Sequence, residues 1–211
     1  MYLQKLSLIN FKNYQQADIE FSSKLNCFIG ENGVGKTNIF DAVYYLCLCK
    51  SYFNIIDSQN IKYNEELSVI QGEFVMNGKK EEIYCGLRRN KRKVFKRNKK
   101  EYSKLSNHIG LLPIVMISPA DSNLIAGGSE ERRKFINGVI VQYDKNYLDD
   151  LIKYNRLVSQ RNKLLKDLAI SDSYQGDTLE VYDEQIVPVG ERIYEKRVSF
   201  AEKLVPIFQK Y

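Results

Sequence analysis

The residues Gly30-Glu31-Asn32-Gly33-Val34-Gly35-Lys36-Thr37 carry the spacing G-x-x-x-x-G-K-[ST]. Each type in that run has a task in holding a polyphosphate. The glycines let the backbone curl and turn its N–H groups inward around an anion. A helix starting near Gly35 aims its positive end at the same anion. Lys36 is expected to reach the β- and γ-phosphates of ATP, which makes it the candidate catalytic residue. Thr37 is expected to offer its hydroxyl to Mg²⁺. The chemistry that fits is ATP binding and phosphoryl transfer. Glycine-rich turns also match this pattern by chance, so the flanking elements decide its meaning.

Those elements are legible on both sides. Leu25–Ile29 is short and mostly apolar and reads as a strand. Thr37 to Cys49 is mostly apolar, lacks Gly and Pro, and reads as a helix packed on a sheet. Upstream, Tyr2–Phe11 and Ala17–Phe21 alternate around an Asn13-Tyr14 turn, predicting a β-hairpin. Residues 50–66 look irregular. Ser68–Met76, Glu82–Arg89 and Arg92–Arg97 predict antiparallel strands, with Asn77-Gly78 as a tight turn. Leu111–Ile117 predicts a buried strand. Pro119 opens a loop or first helical turn, and Ala120–Ala126 a short helix. After Gly127-Gly128, Ser129 is placed to cap a helix reaching Tyr143, with Arg132 where a capping box has Glu.

The last third is polar and helical. Leu148, Leu151, Val158, Leu165 and Leu168 form one stripe, with Asn155 and Asn162 on the same side. Leu179, Ile186, Ile193, Phe200 and Ile207 recur every seven residues in a second segment. Ser171–Asp177 is a polar turn between them, so the pair predicts an antiparallel helical hairpin, kinked at Pro188.

The chain has 211 residues, of which 44% are apolar and 27% charged, the balance of a soluble globular protein. The uncharged run Ser106–Ala120 is too short for a bilayer and contains Pro113. The opening residues show no secretory signal, and a cytoplasmic protein without membrane contact is expected. Four cysteines without a C-x-x-C pair, and the single His108, argue for buried thiols and against zinc. Nine basic residues fall in Arg88–Lys100, more than the whole net charge of +6. The remainder is therefore mildly acidic, and Arg88, Arg89, Lys91, Arg92, Lys93, Lys96 and Arg97 are either a phosphate-contacting surface for DNA or a solvated hairpin.

Phe28 to Asn38 followed by Ile39 to Leu46 resembles the RecF recombination mediators, within the SMC-like, ABC-type ATPases. Asn38 after the lysine-threonine pair favours that likeness over most other phosphate-loop proteins. Leu6–Tyr14 resembles the family's opening strand, with Lys12 in place of an arginine that helps hold the nucleotide. Lysine keeps the charge but lacks the bidentate fork. Leu112–Asp121, Gly128–Phe135, Tyr154–Arg156, Gln160–Leu165, Tyr182–Gln185 and Arg197 extend the resemblance over nearly the whole chain. RecF proteins are considerably longer, and their ABC signature and Walker B acids lie in the C-terminal part. Here Leu112–Ile117 runs into Ser118-Pro119, and Asp149-Asp150 sits on a polar helix.

The resemblance implies an α/β fold: an ABC-ATPase-type phosphate-loop lobe with an antiparallel β-subdomain at about 68–100, plus a helical-hairpin arm. Residues 1–143 would be the N-terminal part of the head and residues 144–211 the arm. It also implies ATP and Mg²⁺ as cofactors, with Gly30 to Asn38 and Lys12 around the nucleotide. The implied partners are single-stranded or gapped DNA, RecR-type and RecO-type mediators, and a second copy in an ATP-dependent homodimer. The implied role is recombinase loading at gapped DNA and support of the SOS response. Glu130, Glu131, Arg132 and Arg133 serve either that dimer or an exposed first helical turn. Asp121 lies near the γ-phosphate or caps a loop. Rival readings are a fragment that holds ATP and DNA without hydrolysis, another SMC-like head, and a small-molecule kinase.

Overall fold

A computed structural model describes residues 1–171 and 176–210. It contains two compact units, Met1–Met116 and Ile117–Tyr211.

The first unit is built on strands β1 (Tyr2–Phe11), β2 (Tyr14–Glu20), β3 (Leu67–Met76), β4 (Lys79–Arg88), β5 (Val94–Arg97) and β6 (Lys100–Glu101). They form one antiparallel sheet in the order β2-β1-β3-β4-β5-β6. Period-2 alternation sorts its two faces. Leu6, Leu8, Ile70, Phe74, Ile83, Cys85, Leu87 and Phe95 point inward, and helix α1 (Lys36–Leu48) packs Ala42, Tyr45 and Leu46 with them. Each fully buried Leu or Ile contributes about 2 kcal/mol. The helix comes so close that a Cβ built on Gly72 of β3 would lie 2.6 Å from Leu46 Cδ1. α1 ends where Cys49 turns left-handed (φ 55°) and returns its N–H to Tyr45 O.

The expected Asn77-Gly78 turn is present, both residues having positive φ, as a two-residue hairpin requires. A second such hairpin, at Asn98-Lys99, joins β5 to the short β6, which the sequence reading did not include. Two expected strands are corrected. Leu25–Ile29 and Leu111–Ile117 join no ladder among the described residues. Both are apolar as read, but a strand also needs a neighbour to pair with. Without one, Leu25 is 79%, Ile29 95% and Val115 83% exposed.

In the second unit, a 3₁₀ turn (Pro119–Ser122) leads into α2 (Asn123–Ala126), then α3 (Ser129–Ile140), α4 (Lys145–Ser171) and α5 (Gly176–Gln209). Gly128, not Ser129, is the N-cap of α3, because Ser129 Oγ instead accepts a hydrogen bond from Arg133 at 2.8 Å. The arm is antiparallel: Arg161 pairs with Asp183, Asp150 with Arg192 and Asp144 with Lys196. On α5 the seven-residue stripe faces inward at Ile186, Ile193 and Phe200 but has turned outward by Ile207. On α4 Leu148, Leu151, Val158 and Leu168 of the expected stripe are buried or half-buried, and the departure is confined to Leu165 and the two asparagines. Leu157 is buried while Leu165, Asn155 and Asn162 are exposed, because a 3.6-residue period drifts against a seven-residue count. α5 is continuous through Pro188, whose carbonyl accepts from Arg192. The turn read at Ser171–Asp177 centres on residues 172–175, outside the described residues.

The units divide at 116/117, whereas composition changes at 143/144. Ile136 and Ile140 of α3 pack with Tyr147, Val189 and Ile193 of the arm, which draws α3 into the helical unit. Among the described residues no helix is long and apolar enough to cross a membrane.

Candidate nucleotide-binding site

The glycine-rich loop arrives from Leu25–Ile29, pinned by Phe28, whose ring packs on Phe21 and on Phe40 of α1 at centroid distances of 5.9 and 5.4 Å. Gly33 and Gly35 have φ of 85° and 108°, values at which any other L-residue is strained. Gly35 is the N-cap of α1. No side chain caps this helix end and its first turn holds no acid. Asn38 N–H donates to Gly35 O at 2.8 Å, which leaves the N–H groups ahead of it, with the positive end of the helix dipole, to face an anion. Gly30 to Val34 and Thr37 are exposed beside them.

Lys36 opens the helix and folds back over the loop. Its ammonium donates to the carbonyls of Gly30 and Glu31, both at 2.6 Å. Those bonds hold a cation across the concavity, and carbonyl oxygens are readily replaced by phosphate oxygens of higher charge. Donors, helix end, lysine and threonine hydroxyl together fit a nucleotide polyphosphate and its Mg²⁺.

Three contributors escaped the sequence reading. Asn13, read only as a turn residue, braces the loop from outside. Its Nδ2 donates to Val34 O at 3.0 Å and its Oδ1 accepts from Asn38 Nδ2 at 2.8 Å. A Cβ on Gly35 would stand 2.5 Å from Asn13 Nδ2, so glycine is required there on two counts. Lys62 in turn donates to Asn13 O at 3.0 Å. Asp41, one turn beyond Thr37, is fully buried and accepts from Ser51 Oγ, Tyr52 N and the Lys12 ammonium, at 2.6, 2.7 and 2.6 Å. Lys12 therefore points at Asp41 and packs by Phe53, with its ammonium 5.3 Å from that ring. Only the periodic burial of Asp41 among the apolar residues of α1 hinted at this pair.

The basic run separates into unlike parts. Lys93 is interior: its ammonium donates to Cys49 O at 2.7 Å and to Tyr45 Oη at 3.2 Å, and pairs with Asp57 at 3.0 Å. Arg97 makes a two-pronged bond to Glu81, which with Asn98 holds that carboxyl down to about 2. Arg89 donates to Glu65 O. Arg88, Lys91 and Arg92 are exposed or nearly so, and Lys96 sits by the ring of Tyr84. In the second unit, Asp121 caps its own turn by accepting from Ser118 N. Arg132 donates to the carbonyls of Leu124 and Gly127 while Glu130 is exposed.

The buried thiols carry no sign of reactivity. Burial pushes Cys47 and Cys49 up to about 12 and Cys85 higher still. His108 is likewise interior, with Nε2 at 2.7 Å from Leu46 O and burial lowering its pKa.

Comparison with known proteins extends this picture. A family model described as "AAA ATPase domain" matches residues 1–196. The DNA replication and repair protein RecF of Bacteroides fragilis is 53% identical over 212 aligned residues, covering 100% of this chain and 56% of the relative. RecF of Flavobacterium johnsoniae is 50% identical over 208, covering 99% of this chain and 58% of the relative. The chain thus spans a little over half the length of these curated relatives. The solved structure of the recombination mediator protein RecF-ATP in the RecFOR pathway superposes with a TM-score of 0.89 at 33% identity, over 96% of this chain and 54% of that one. An SMC ATPase structure shares the fold, with a TM-score of 0.54 at 21% identity over 66% of this chain and 99% of that one. The expected phosphate-loop lobe with an antiparallel β-subdomain and a helical arm is the fold of these ATPase heads. The chain belongs to the AAA ATPase domain family, and along its whole length it is similar to a portion of the RecF proteins.

Proposed function

We propose that this chain is the nucleotide-holding portion of an ATP-dependent DNA replication and repair protein of the RecF type. One observation carries the reading: Lys36 is held across the loop carbonyls at the uncapped, positive end of α1. Gly30, Glu31, Asn32, Gly33, Val34 and Gly35 form the cradle, and Asn38 tethers it to Asn13. Lys36 leaves the carbonyls for the β- and γ-phosphates, and Thr37 offers Oγ1 to Mg²⁺. The metal, when bound, neutralises phosphate charge that develops during transfer. Lys12 supports the site through Asp41 rather than by touching the loop.

DNA, single-stranded or gapped, is the proposed macromolecular partner, together with mediators of RecR and RecO type and a second copy of the chain when ATP is bound. Recombinase loading, SOS support and a cytoplasmic location belong to the same reading. The four free thiols support the last of these.

A second reading is favoured by the acids. Asp149-Asp150 lie on α4, where Asp150 is committed to Arg192, and Ser118-Pro119 follow the apolar Leu112–Ile117. In this reading the residues of the chain hold ATP without turning it over. Calorimetry and a turnover assay with gapped DNA test both readings on one pair of proteins. Tight ATP binding that is lost in Lys36→Ala, without turnover in either protein, is expected. Unchanged affinity in Lys36→Ala sinks the cradle. DNA-stimulated turnover that Lys36→Ala abolishes restores a complete catalytic site within this chain.

A further inference from the structure

The face of the sheet turned away from α1 has two unlike ends. Towards the start of β1 and β4 its charges are paired: Glu73 meets Lys80 at 3.8 Å and Lys5 meets Asp18 at 3.6 Å, with Glu82 opposite Glu73 in register. At the other end, Val69, Gly86 and Val94 are successive partners across β3, β4 and β5, and Tyr84 stands beside Lys96 in the next row. A groove of about 330 Å³ opens over these residues.

The groove is shaped by one glycine. A Cβ on Gly86 would stand 3.0 Å from Tyr84 Oη and 3.2 Å from Cε1, so the ring lies along the sheet over the space a side chain would fill. The result is an aromatic ring laid beside the apolar side chains of Val69 and Val94. Lys96 holds its ammonium 5.6 Å from the ring centroid. Around the rim stand Arg88, Lys91 and Arg92, exposed and without an acidic partner among the described residues. Cations left unneutralised around an apolar, aromatic floor match a ligand with a flat apolar body and flanking negative charges.

We propose that this groove is a contact site for single-stranded DNA, an inference that rests on the DNA-binding reading above and gives it a location. One base lies on Tyr84 and the valine floor, while neighbouring phosphates meet Arg88, Lys91, Arg92 and Lys96. An unstacked base rewards a flat ring; a duplex keeps its bases stacked and presents only backbone and groove edges. The contact is indifferent to sequence, since every base has a π-face. The ion-paired end offers phosphates no unneutralised cation, which places the strand on the β4–β5 side. Lys93 and Arg97, held by Asp57 and Glu81, take no part.

The test measures oligo(dT) and blunt-duplex binding by the 211-residue chain across a salt series. The variants are Tyr84→Leu and the triple Arg88→Gln/Lys91→Gln/Arg92→Gln, with urea midpoints confirming that each folds. The triple is expected to weaken oligo(dT) binding by more than tenfold and to flatten the log–log salt slope by roughly 2, three phosphate contacts at about 0.7 each. Tyr84→Leu is expected to weaken it by about tenfold with the slope unchanged. Oligo(dT) carrying 5-iododeoxyuridine should photocrosslink to Tyr84. If the wild-type chain binds oligo(dT) and both variants match it, the groove is wrong and the DNA reading survives. If the wild-type chain binds neither DNA, both fall. Equal losses on duplex and oligo(dT) in Tyr84→Leu overturn the single-strand assignment.

Discussion

Lys93 sits in the middle of a run of basic residues, yet its ammonium closes the carbonyl end of α1 through Cys49 O and meets Asp57 and the buried Tyr45 hydroxyl. A cation at a helix C-terminus is favoured by the dipole, and a charged donor removed from a half-buried network strands its acceptors. Lys93→Gln is therefore expected to lower stability by about 2 kcal/mol. Lys91→Gln, two residues away and exposed, should stay within about 0.5 kcal/mol. Urea titrations of both variants distinguish the two; equal midpoints would show that the Lys93 network contributes nothing. Residue types in the run gave its charge but not its partners. Cys49 and Asp57 lie 44 and 36 positions away in sequence, and pairing over such distances is settled by packing. The same holds for Asn13 at the phosphate loop, reached across 21 and 25 positions to Val34 and Asn38. The loop's own residues, in contrast, were legible because each acts through backbone geometry that a local spacing specifies.

Elements follow the same division. The Asn77-Gly78 hairpin, helix α1 and the antiparallel arm all appear where local pattern puts them, since each is specified by turn chemistry or by a period within one segment. On α4 the expected stripe departs from the structure only at Leu165, Asn155 and Asn162, because apolar residues occur in doublets, Leu157-Val158 and Leu164-Leu165, and either member satisfies an approximate stripe. Ion pairs from Asp150 to Arg192 and from Arg161 to Asp183 fix the register that decides between them. Leu157, 4% exposed, should lose about 2–5 kcal/mol on truncation to Ala. Leu165, 38% exposed, should lose under about 1 kcal/mol. Thermal or urea unfolding of the pair checks the facing, and a reversed order would move the seam back to the stripe first read from sequence.

At the scale of the whole molecule, Leu25–Ile29 has the apolar character of a central strand and no ladder among the described residues. Sequence alone marks such a segment as strand-forming but cannot supply the neighbour that would make it one. The consequence is colloidal. An extended segment with Leu25 and Ile29 exposed, an exposed Cys27 thiol between them and no charge or proline within it is a template for intermolecular β-pairing. Solutions of this chain are expected to scatter light increasingly with concentration and time, and Leu25→Lys should suppress that growth as a gatekeeper charge does. Reductant should remove only covalently linked dimers, leaving the scattering itself. Five positions immediately before the phosphate loop thus weigh on the solubility of the chain as well as on the placement of that loop.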